Sequence, residues 1–157
     1  MKWLLINAFV LLTACTPFRN LLSPSDALFT RPLVREDVLL IKSVEEAGDR
    51  VIRQSDDILK QELAQSWFLK DTIQVLIASS GEKTTLVPGP SPTVTVQALI
   101  RQTASSVLFD PDQSIRIDIQ LSFHEAGSQK LIGRISKSGS VKNREELIEL
   151  VRTIRLR

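Results

Sequence analysis

A chain with one histidine, one cysteine and no tyrosine has few side chains with which to do chemistry. His124 stands alone, so a metal centre built on several histidines is excluded. Ser122 lies two residues before it and Glu125 directly after it. A nucleophile, base and orienting acid must converge on one reacting atom. Neighbours on a single strand point in parallel directions and do not converge, so His124 reads as a solvated strand histidine. Asp110, Asp112 and Ser114 have the spacing of the first ligands of a calcium loop. The match fails at the required glycine, which is Ile115, and at the closing glutamate, which is Leu121. Gly81-Glu82-Lys83-Thr84 lacks the spacing of a phosphate loop, and Glu82 repels phosphate. The carboxylate pairs Glu45-Glu46, Asp56-Asp57 and Glu145-Glu146 suit turns and helix starts rather than two sides of a cleft. The expectation is a protein without catalytic residues, cofactor or metal.

Cys15 is the exception. It closes an apolar run, residues 3–12, that follows Met1-Lys2 and is interrupted only by Asn7. At roughly ten residues the run has the length of a signal-peptide core; spanning a bilayer needs about 20. Small residues Thr13 and Ala14 precede the thiol. Leu12-Thr13-Ala14-Cys15 resembles the lipobox of bacterial lipoproteins. The resemblance implies cleavage between Ala14 and Cys15, a diacylglycerol on the Cys15 sulfur and an acyl chain on the new amine. Two or three acyl chains anchor stably where one does not. With no second cysteine, an internal disulfide is impossible. Thr16 stands where an aspartate favours inner-membrane retention in enterobacterial lipoproteins, so the resemblance implies an outer-membrane anchor facing the periplasm of a Gram-negative bacterium.

The remaining chain is read as a tether over residues 15–37 and one domain over residues 38–157. Pro17, Pro24 and Pro32 disfavour helix in the tether. Its apolar pairs Leu21-Leu22, Leu28-Phe29 and Leu33-Val34 either pack back on the domain or serve a partner, the first being preferred. Hydrophobic residues make up 43% of the chain with few aromatics, so the expected core is aliphatic. A formal charge of +2, with basic residues scattered among acids, gives no basis for nucleic-acid binding.

The elements that would position any site follow from periodicity. Residues 38–44 form an apolar strand, residues 45–49 a turn, and residues 50–54 the returning strand of a hairpin, ahead of the alternative of a lead-in to the next helix. Ser55 caps a helix over residues 56–68, with Leu59, Leu63 and Trp67 on one stripe. Strands are expected at 71–79 and 93–101, separated by a Gly/Pro-rich loop at 80–92, with residues 107–109 extending the second. Asp110-Pro111-Asp112-Gln113 is a turn. Ile115, Ile117, Ile119, Leu121 and Phe123 alternate with polar residues, marking a strand with one face in the core. Residues 129–136 pair with it, Gly133 is a candidate bulge, and Gly139-Ser140 ends the strand. Asn143 and Glu146 form a capping box ahead of a final helix bearing Leu147, Leu150, Val151 and Ile154.

This order indicates an α+β fold, a two-layer sandwich whose mostly antiparallel sheet is covered on one face by two helices. In element order the domain resembles the auxiliary lipoproteins of ABC-type lipid transport systems and other envelope lipoproteins. The resemblance implies a lipid-anchored accessory or assembly subunit of an envelope transport or secretion complex, with the membrane and an envelope protein as partners. The competing readings are a carrier of a lipid or other apolar ligand, and a periplasmic hydrolase using His124.

Overall fold

The strand Ile115–Glu125 (β5) alternates as its sequence requires. Its isoleucines, Leu121 and Phe123 are buried, while Arg116 and Gln120 are exposed. Around it, the computed structural model describes residues 26–78, 89–104 and 113–156. The other elements are β1 (Asp26–Phe29), β2 (Val38–Gly48), α1 (Ser55–Ser66), β3 (Gln74–Ile77), β4 (Val94–Ala104), β6 (Leu131–Val141) and α2 (Arg144–Arg152). A turn of π-helix, Trp67–Asp71, extends α1. The strands form one sheet in the order β1-β6-β5-β4-β2-β3. The ladders β1/β6, β6/β5 and β5/β4 are antiparallel, whereas β2 is parallel to both β4 and β3. Both helices cover the isoleucine face of β5. Trp67 meets Phe123 there, and Leu150 of α2 lies over Gly139 of β6. The fold is α+β with helices segregated to one side.

Three expectations need correction. Residues 50–54 are not a returning strand. Instead β2 continues through Glu45, Glu46 and Ala47, and its ladder with β4 ends at Gly48 opposite Gln102. Gly48 turns the chain with φ +84, and Gln102 then holds the loop: its side chain accepts from the Ile52 N–H (2.8 Å) and donates to the Ile52 carbonyl (2.9 Å). Ser55 does not cap α1. It is the first helical residue, buried, and its hydroxyl donates to Glu46, whose carboxylate also accepts from the Asp56 N–H (3.1 Å). A side chain on β2 thus supplies the anion that a helix N-terminus favours. Gly139 does not end its strand. β6 runs on to Val141, and the missing Cβ makes room for Leu150, whose Cδ1 would lie 2.9 Å from it.

Other boundaries move for local reasons. β3 is shorter than expected because the π-helical turn occupies residues 67–71, closed by Thr72 at φ 58. The capping box at α2 forms: the Asn143 side chain accepts from the Glu146 N–H (2.9 Å). The Glu146 carboxylate reaches one residue further back than expected, to the Lys142 N–H (2.8 Å). The β5/β6 register shifts between Phe123, opposite Gly133, and His124, opposite Leu131, so the extra residue of the bulge is Ile132, one position before the glycine expected to form it. The glycine is needed there because a Cβ would lie 2.1 Å from the Phe29 ring. Residues 105–112, which include the expected extension at 107–109 and most of the turn at 110–113, lie outside the described residues, as does most of the loop at 80–92.

Candidate interaction surface

Register places one end of the sandwich unambiguously. β2 begins at Val38 beside Gln74 of β3, and Val94 of β4 lies opposite Glu125 of β5. α1 starts at the other end, beside Glu46 and Gln102, and therefore finishes at this one. The end is built from residues 30–37, the turn Trp67–Asp71, the β5–β6 turn and the chain after α2.

Residues 30–37 cross from β1 to β2 and are clasped from below. The buried Asp37 carboxylate accepts two hydrogen bonds from Arg31 (3.0 and 3.1 Å), one from the Val34 N–H (2.9 Å) and one from the Thr93 hydroxyl (2.9 Å). Burial pushes this carboxyl up. The hydrogen bonds from Arg31, Val34 and Thr93, with the Arg31 charge, outweigh burial and hold it below the usual carboxylate range. Thr30 adds backbone and hydroxyl hydrogen bonds to the Ile132 carbonyl. The clasp sets Leu33 into the core and leaves Val34 outside, 45% exposed. Of the apolar pairs in the stretch read as tether, Phe29 and Leu33 pack inward while Leu28 and Val34 do not.

Three rings run through the core here. Phe29 packs on Phe123 (centroids 5.1 Å apart), and Phe123 packs on Trp67 (5.8 Å). The Trp67 indole N–H donates to the Ile154 carbonyl (3.2 Å), satisfying its one buried polar atom. The otherwise aliphatic core therefore has an aromatic seam at this end. The chain after α2 is also tied down. Arg155 pairs with buried Asp71 (3.1 Å) and donates to the Lys70 carbonyl, while the Lys70 amine donates to the Arg152 carbonyl (3.0 Å).

Two apolar features result. Between residues 32–35 and Leu156, with Phe29 at its base, lies an open groove of about 610 Å³ lined by Phe29, Pro32, Leu33, Val34, Arg35 and Leu156. From the π-helical turn project Phe68 and Leu69, 61% and 67% exposed. They are out of phase with the buried Leu59, Leu63 and Trp67 stripe. Phe68 and Leu69 together form a small exposed apolar patch on a pinned turn; contiguous apolar area is what marks docking surfaces. On the opposite face of the sheet, Gln120, Ser122, Arg134 and Ser136 of β5 and β6 line a polar depression.

The residues singled out for chemistry do not assemble. The His124 ring faces the Gln129 carbonyl through Nδ1 (3.2 Å), and Glu125 accepts from the Ser128 hydroxyl (2.6 Å). Neither is hydrogen-bonded to Ser122 among the described residues. Asp56 and Asp57 both pair with Lys60 (3.3 and 3.6 Å). Among the described residues no group of three or more His, Cys, Asp or Glu side chains is placed to hold a metal ion. Cys15, Ala14, Asp110, Asp112 and the 81–84 segment lie outside the described residues. Phe68 and Leu69 were missed as a surface; their position off the helical stripe was the available signal. Gln102 gave no signal because its partners are distant in sequence, whereas Asp37 draws mainly on nearby Arg31 and Val34 in a stretch read as tether and was missed for that reason.

No family model matches the chain, and no curated protein matches it. Solved structures do. The PelC dodecamer from Paraburkholderia phytofirmans is similar with a TM-score of 0.56 at 9% identity, over 84% of this chain and 92% of that one. A single-substitution variant of that dodecamer gives 0.61 over the same shares. Lipoprotein GNA1162 from Neisseria meningitidis gives 0.48 at 12% identity, over 73% of this chain and 92% of that one. At these identities the likeness to PelC establishes a shared fold.

Proposed function

We propose that this chain is a non-catalytic assembly subunit of a Gram-negative cell envelope, held at the outer membrane by acylated Cys15 and working in a multi-copy complex for transport or secretion. The observation that carries the reading is the rigid apolar end of the sandwich, where Phe68 and Leu69 stand exposed beside a preformed groove. Such a surface suits docking, since apolar anchors held in place lose little freedom on binding. It sits on a fold shared with a protein solved as a dodecamer. The Leu12-Thr13-Ala14-Cys15 stretch supports the anchor by its resemblance to a lipobox.

The test is purification of the tagged full chain from envelopes solubilised in mild detergent. The expected result is a particle of several chains with stoichiometric partners or further copies. A monodisperse single chain without partner would overturn the reading.

A further inference from the structure

We propose that Gln120, Ser122, Arg134 and Ser136 bind a soluble polar ligand through its oxyanion, a carboxylate or a phosphate. These four residues line a depression of about 390 Å³ on the sheet face away from the helices. The site is separate from the apolar end and does not rest on the assembly reading. Register brings its side chains together: Ser122 is directly opposite Arg134, and Gln120 is directly opposite Ser136. Their Cβ positions are therefore about 5 Å apart across the ladder and about 7 Å apart along it. Both strands are paired on two sides, β6 between β1 and β5, and β5 between β6 and β4, so the frame is rigid. The bulge at Ile132 lies two residues before Arg134. Bulges raise the local twist and re-aim neighbouring side chains, a source for a hollow on a pleated surface.

The chemistry of the lining selects an anion. Arg134 carries a fork of N–H donors, while the Ser122 and Ser136 hydroxyls and the Gln120 amide can each donate. No carboxylate is among the lining residues. Among the described residues, none of the four side chains is hydrogen-bonded or ion-paired. Arg116, further back along β5, is by contrast already paired with Asp118 (3.3 Å). A guanidinium beside neutral donors matches the planar edge of a carboxylate or two oxygens of a phosphate. The depression is larger than one oxyanion. Leu121 and Ile135 turn their side chains into the core, so what they offer the depression is backbone. A lining of hydroxyl, amide and backbone fits the body of an acidic or phosphorylated sugar and gives an acyl chain no apolar wall. By register Asp26 of β1 stands beside Ser136, which favours the negative charge toward Arg134 and Ser122.

The test is calorimetric titration of the full chain in mild detergent at constant ionic strength. The probes are inorganic phosphate, glucuronate, glucose 6-phosphate and uncharged glucose. A charged sugar should bind with a Kd on the order of 1 mM or tighter, and glucose should not bind. Arg134→Gln should weaken that binding roughly ten- to hundredfold, the loss expected when hydrogen bonds to a charged group are removed. Arg134→Lys should keep only part of it, since an ammonium retains the charge and loses the fork. Arg144→Gln, at the start of α2 on the other side of the sheet, should leave it unchanged. Arg134 and Arg144 are both exposed, so all three variants should keep the wild-type circular dichroism. Binding of glucose as strong as that of the charged sugars overturns the oxyanion. An equal loss in Arg144→Gln reduces the effect to overall charge and overturns the site. A native mass spectrum in which the chain retains phosphatidylglycerol, lost in Arg134→Gln, with no soluble probe bound, assigns the site to a lipid headgroup and overturns the soluble ligand. No binding of any probe overturns the proposal.

Discussion

Replacing Gln102 by leucine should unfasten the loop between β2 and α1. Gln102 is 1% exposed and makes three hydrogen bonds with one side chain. Two of them satisfy both backbone groups of buried Ile52, and the third reaches the Ser55 hydroxyl (2.9 Å). Leucine nearly conserves the volume and removes all three. The Ser55 hydroxyl keeps Glu46, but the Ile52 N–H and carbonyl lose their partners. An orphaned buried polar group costs about 1–3 kcal/mol, so two cost about 2–6 kcal/mol. The added apolar burial offsets roughly 1–2 kcal/mol. The net loss expected is about 0–5 kcal/mol, centred near 2.5 kcal/mol, a fall in Tm on the order of 10 °C for a domain of this size. Urea unfolding followed by the fluorescence of buried Trp67 measures it, and amide exchange should speed first at residues 50–56. A loss below about 1 kcal/mol, together with fast exchange spread evenly over the sheet, would show that Gln102 is not the fastener.

The remaining predictions concern the clasp, the groove and the anchor. The folded-state pKa of Asp37 is depressed, so its contribution is fully present above the unfolded value of about 3.9 and is lost as pH falls through the folded value. Asp37→Asn should therefore lower the urea midpoint at pH 7 and flatten its decline between about pH 5 and pH 2; an unchanged acid slope would contradict the clasp. Gly133→Ala places a methyl against the Phe29 ring and should destabilise by about 1–3 kcal/mol, read as a lower urea midpoint with unchanged circular dichroism. Cys15→Ser should abolish acylation and move the chain from the membrane to the soluble fraction while leaving its thermal unfolding unchanged. Continued membrane retention and processing would count against the lipobox.

Much of the fold is legible because much of it is local. The alternation from Ile115 to Phe123 declares its buried face, and Leu59, Leu63 and Trp67 recur at helical spacing. The Asn143–Glu146 cap lies within four residues of sequence. What escaped depends on distant partners. Glu45, Glu46 and Ala47 resemble a turn until β4 is laid alongside them, after which Glu46 becomes the cap of a helix nine residues on. Arg50 and Gln54 take left-handed φ values of 48 and 57, which non-glycine residues do not advertise. Gly139 is a strand breaker by propensity and a space-maker under Leu150 by packing. The apolar end was half legible: Leu33-Val34 and Phe68-Leu69 are visible pairs, but which member turns outward is decided by the Asp37 clasp and the π-helical turn.

Native mass spectrometry of the full chain, extracted from bacterial envelopes in mild detergent, tests anchor and assembly together. The expected spectrum is a particle of several copies whose released protomer begins at Cys15 and carries acyl chains. A single protomer that keeps Met1, bears no lipid and brings no partner would contradict a lipid-anchored assembly subunit.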